Sequence, residues 1–150
     1  MSLYPAEHFP GTPPLGRFVV ERALLIAGLN MAKWSVPLEI VARYESDWNP
    51  YIENDADSVC TSCRGMMQAA IGMYSAAAEK ELISSPRYTD AIQAVTVAIH
   101  YILGHLKPYY GGYETLDKFL TRSSVGRVIE AWRANPDATY SNLRSYYSGY

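Results

Sequence analysis

The chain has 150 residues, 49% of them hydrophobic, enough to fill one core and to read as a single domain without an internal linker. Thirteen basic and fifteen acidic side chains leave a formal charge of −2 with no long run of either sign. That argues against nucleic acid as a partner, because phosphate binding needs clustered Lys and Arg. An apolar run such as 23–29 is only seven residues and follows Glu21 and Arg22, so a membrane span, which needs ~20 apolar residues, is not expected.

Residues 1–16 hold four prolines, Pro5, Pro10, Pro13 and Pro14, and should run as an extended arm, with the domain proper spanning 17–150. The arm shows no basic segment leading into an apolar one, so no secretory signal is expected. Over 17–30, Phe18, Val19, Leu24, Leu25, Ile26 and Leu29 recur with helical spacing. A second helix is predicted from an N-cap at Ser35, with Pro37 in its first turn, to about Glu45 or Ser46, where Asn49-Pro50 stops it. Glu45 then lies in the last turn, at the negative end of the helix dipole, which favours its protonated form.

Residues 51–64 read as loop. Within it Cys60 and Cys63 form a lone CxxC. Zinc normally needs four ligands, and His8, His100 and His105 supply no second pair at metal spacing; a thioredoxin-like site would need a βαβ pattern. The pair therefore reads as two thiols or a small disulfide stiffening the loop. Gly65 opens a Met- and Ala-rich run, 66–82, with Met67, Ile71, Tyr74 and Ala78 on one helical face. The segment 88–106, with Ile92, Val95, Ala98, Ile99, Ile102 and Leu106, is apolar nearly all round and should be the central helix. Shorter helices are predicted over 114–120 and 125–134, and a Tyr-rich tail over 140–150. With no convincing alternating strand and no repeat, the expected fold is all-α, six or seven helices around a central one.

Most catalytic constellations are absent. There is no HExxH, no nucleophile elbow and no Gly-rich phosphate loop, and His100 and His105, five apart, do not share a helix face. What remains is one well-placed acid, Glu45, a polar loop after it, and three Trp and thirteen Tyr able to stack on sugars. That combination points toward carbohydrate.

The order Val36-Pro37, Glu45-Ser46-x-x-Asn49-Pro50, Asn54, Gly65-Met66-Met67-Gln68 resembles the signature of soluble lytic transglycosylases, the glycoside hydrolase family related to goose-type lysozymes. The resemblance is good over 36–82. It is weaker beyond, where Tyr101-Ile102 stands for the family's Tyr-Leu pair and the family's sugar-contacting Ala-Tyr-Asn-Ala-Gly has no counterpart. The loop holding both cysteines is also longer than in the family.

The resemblance implies a lysozyme-like fold and cleavage of the β-1,4 bond between N-acetylmuramic acid and N-acetylglucosamine in peptidoglycan. Glu45 would be the sole acid/base. Ser46, Asn54, Met67, Gln68 and Tyr101 would line or support the glycan site, with no cofactor and no metal. Two alternatives stay open. A goose-type hydrolase would need a second carboxylate, for which Asp55 and Asp57 are candidates. A non-catalytic helical module of a phage particle would dock through residues 1–16 and the Tyr-rich C-terminus. With no signal sequence expected, the reading is of a phage protein acting on the bacterial cell wall, released at lysis or carried in the virion.

Overall fold

The computed structural model describes residues 13–55 and 62–122. Within them the order is α1 (Pro13–Ala27), α2 (Met31–Ser46), β1 (Glu53–Asn54), β2 (Cys63–Arg64), β3 (Ala69–Ala70), α3 (Ile71–Glu79), α4 (Ala91–Ile102) and α5 (Leu116–Arg122). The predicted helix over 125–134, the tail and residues 1–12 lie outside the described residues.

Helix α1 starts at Pro13, inside what was expected to be the extended arm. The first turn of a helix has no use for its N–H groups, so two prolines there are no obstacle. Its buried face is Val19, Val20, Ala23 and Leu24, and it packs on both α2 and α4. After Gly28, in the left-handed region at φ 71°, the chain turns directly into α2. The cap of α2 is Asn30, not Ser35: the Asn30 side chain accepts from Lys33 N at 2.9 Å, and the helix begins a turn early. Pro37 is consequently inside the helix and buried among Trp34, Leu38 and Val41.

The all-α expectation is corrected by a small antiparallel sheet in the order β1-β2-β3, with Asn54 opposite Cys63 and Cys63 opposite Ala70. The helix predicted over 66–82 begins only at Ile71. Gly65 at φ 81° and Gln68 at φ 50° are left-handed and cannot continue a right-handed helix, so residues 65–68 form the β2–β3 turn. Ala69 and Ala70 favour helix, but pairing with β2 overrides that preference. Two-residue strands also leave no alternation to detect.

The central helix is α4, capped by Asp90, whose side chain accepts from Gln93 N at 3.0 Å. Ala94, Val95, Val97, Ala98, Ile99 and Ile102 are buried on it, and it packs on α1, α3 and β3. The two largest fully buried side chains are Trp48 and Tyr74, one on each side of the sheet in sequence. Among the described residues the molecule is thus mostly helical, five helices with one small sheet.

Candidate functional site

Helix α2 ends abruptly, at Asp47, before Asn49-Pro50 is reached. Asp47 (φ 56°) and Trp48 (φ 59°) are consecutive left-handed residues, a conformation that costs a side-chain-bearing residue ~1–2 kcal/mol. Packing holds them there. The Trp48 indole is fully buried, donates from Nε1 to the Glu39 carbonyl at 3.1 Å, and lies under the Arg43 guanidinium, 5.7 Å from the ring centroid. Arg43 also pairs with Asp47. Against the indole stands Gly16 of α1, where a Cβ would come within 2.3 Å of Trp48 Nε1. Asn49 then accepts from Tyr51 N at 2.9 Å and steers the chain toward β1.

The turn 65–68 is tied to this helix end from several directions. Ser46 Oγ lies 2.6 Å from the Met66 carbonyl and 3.2 Å from that of Ala42, so its one hydrogen is directed to acceptors on the turn and its own helix. Ser46 therefore holds the turn against α2, and its hydroxyl makes neither of these bonds to Glu45. Gln68 Nε2 donates to the carbonyls of Ile52 and Gly65, each at 3.1 Å, joining the segment before β1 to the same turn. Gly65 is required twice over, by its φ and because a Cβ would lie 2.6 Å from the Tyr88 carbonyl and 2.9 Å from the Tyr74 hydroxyl. Tyr74 donates to the Arg64 carbonyl at 3.1 Å, and its burial pushes its own pKa upward.

Glu45, immediately before Ser46, sits on the last turn of α2 with its side chain accessible to solvent. Desolvation of the carboxyl group by the surrounding protein pushes its pKa up to about 7. The cause is loss of hydration, rather than the helix-end dipole invoked from sequence. An accessible carboxylic acid that keeps its proton near neutrality can both deliver a proton and take one back.

The other expected residues fall into different surroundings. Met67 is buried and Gln68 half-buried, both in the turn beside the end of α2. Asn54 is half-buried on β1. Asp55 is drawn to Arg64, with its Oδ1 2.8 Å from Nη1, and Arg64 also has Glu53 at 3.9 Å. Asp57 lies outside the described residues. Tyr101 is half-buried at the end of α4, edge-on to Tyr113 with centroids 5.7 Å apart, and its pKa is raised by burial and by Tyr113. Cys63 is disulfide-bonded, and Cys60 lies outside the described residues.

Three residues of this region carried no assignment from sequence. Trp48 shapes the helix end, Glu39 is an acidic residue 1% exposed whose backbone carbonyl accepts from it, and Arg64 gathers Glu53 and Asp55. Glu39 was visible as an acid among apolar positions of α2; nothing marked the other two. His100 and His105 are in contact, contrary to the helix-face argument, because α4 ends between them. Among the described residues no group of three or more His, Cys, Asp or Glu could hold a metal ion, and no described helix is long and apolar enough to cross a membrane. Comparison with protein-family models, with curated proteins and with solved structures found no match.

Proposed function

We propose that this chain is a peptidoglycan-cleaving muramidase of the lytic transglycosylase type, with Glu45 as its single acid/base. The observation that carries the reading is an accessible Glu45 whose carboxyl is pushed up to about 7, on a helix end that Ser46 fastens to the Gly65-Met66-Met67-Gln68 turn. In this mechanism protonated Glu45 gives its proton to the glycosidic oxygen as the bond to the muramic C1 breaks, releasing the 4-hydroxyl of N-acetylglucosamine. The resulting carboxylate takes the proton of the muramic C6 hydroxyl as that oxygen bonds to C1. A 1,6-anhydro ring closes and Glu45 ends protonated, as it began.

An inverting hydrolase needs a second carboxylate ~6.5–9.5 Å from the acid to activate water. Asp55 is engaged with Arg64, which favours the single-carboxyl reading. Mass spectrometry of peptidoglycan digested with wild type and with Glu45→Gln tests the proposal. Anhydro-muropeptides from the wild type alone are expected. Reducing-end products would mean hydrolysis, and no product from either protein would leave the non-catalytic module as the reading.

A further inference from the structure

We propose that the exposed side of α1 is a dimer interface, taken by α1 of a second copy of this chain running antiparallel to it. Phe18, Leu25 and Ile26 lie outside the core and are 54%, 64% and 65% exposed, although each is large and apolar. With Arg22 they recur at steps of three, four and seven, which makes one continuous side of a helix. A contiguous apolar strip of this kind is stabilised by a partner that removes it from water.

The pattern is complementary to itself. In an antiparallel pair, the register that sets Phe18 against Leu25 of the second copy also sets Glu21 against its Arg22. A two-fold axis repeats both contacts, giving two apolar pairs and two ion pairs. The charges are placed to make them: Arg22 is exposed and has no ion pair among the described residues, and Glu21 engages Arg17 through Oε1 at 2.7 Å, leaving Oε2 for the second copy.

The same register brings Phe18 beside Ile26, one wall of a surface cavity of about 240 Å³ whose apolar lining continues through Ile83 and Ile92. A cavity of roughly 150 Å³ already holds benzene, so the phenyl ring of the second copy has a seat there. Helix α1 has 15 residues and is about 22 Å long, a small contact beside the ~800 Å² per partner of a standard interface. Affinity then rests on the Phe18 anchor, and the dissociation constant should lie in the micromolar range.

The test is sedimentation velocity of the full chain from micromolar to millimolar concentration. Monomer–dimer exchange is expected for the wild type, and Phe18→Ser should weaken it at least about tenfold. Glu21→Arg sets two arginines against each other across the axis, and Arg22→Glu sets two glutamates, so each variant alone should stay monomeric. Mixed in equal amounts they should form a heterodimer, because every facing pair is then of opposite sign. None of the three side chains belongs to the core, so the variants should fold, and circular dichroism checks that they do. The proposal is overturned if the wild type is monomeric throughout, if Phe18→Ser or either charge variant alone associates as well as the wild type, or if the mixed charge variants do not pair.

Discussion

Glu45→Gln keeps the size of the side chain and removes the proton that the proposed reaction must transfer. With the carboxyl pushed up to about 7, roughly half the molecules hold that proton at pH 7, against about 0.3% for an ordinary glutamic acid. Desolvation therefore makes the acid form of Glu45 more than about a hundredfold commoner at neutral pH than it would be on an open surface. Loss of a general acid/base removes about 10²–10⁴ in rate, equivalent to roughly 3–5 kcal/mol of barrier.

The assay is release of soluble muropeptides from purified sacculi between about pH 5 and pH 9. Wild-type kcat/KM should fall as pH rises through about 7, the limb expected of an acid with that pKa. The Gln variant should be nearly inactive throughout. Activity in Glu45→Gln within a few-fold of wild type would refute the assignment, and a wild-type profile without a descending limb would refute the role given to desolvation. The same shift predicts a stability effect. A carboxyl whose folded pKa lies above its unfolded value contributes fully below about 4.5, and the contribution is lost as pH rises through about 7. Wild-type melting should decline across that window relative to Glu45→Gln.

Gly65→Ala should be destabilised by ~1–3 kcal/mol or more, since the left-handed backbone strain adds to the approach of Tyr88 O; thermal unfolding measures it. Ser46→Ala removes the tie to a buried Met66 carbonyl and should lose ~1–3 kcal/mol of stability in denaturant melts, together with muropeptide release, because the turn is no longer held to the acid-bearing helix. Trp48→Phe gives up the Nε1 bond to Glu39 O, worth ~1 kcal/mol, and adds a cavity where the fully buried indole stood, so the loss in the same melts should exceed ~1 kcal/mol. Treatment with a thiol reductant opens the Cys63 disulfide and should lower the melting temperature, by an amount equivalent to ~2–4 kcal/mol. An unchanged melt would mean that the disulfide adds nothing to the folded state.

Several features were legible because local chemistry dictates them. The helical runs of α1 and α4, the end of α2 next to Glu45, and the punctuation at Gly65 all arise from neighbours in sequence, whereas the face of α1 did not, since Phe18, Leu25 and Ile26 of the expected apolar set are exposed. Helix boundaries were displaced where a competing local signal won, as when Asn30 capped α2 ahead of Ser35. The sheet was invisible, since Ala69 and Ala70 become strand only through pairing with Cys63 and Arg64.

The site divides along the same line. Sequence by itself determined that an acid would stand at the end of a helix ahead of a glycine; that Gly65 leads a turn, and not the helix expected over 66–82, was decided by the fold. The surroundings of the acid were decided only by tertiary contacts. Desolvation depends on how much protein surrounds a carboxyl group, Ser46 finds Met66 across twenty positions of chain, and Trp48 keeps its left-handed backbone because α1 offers a glycine against its indole. Such contacts join residues far apart in the chain, and no local pattern records them.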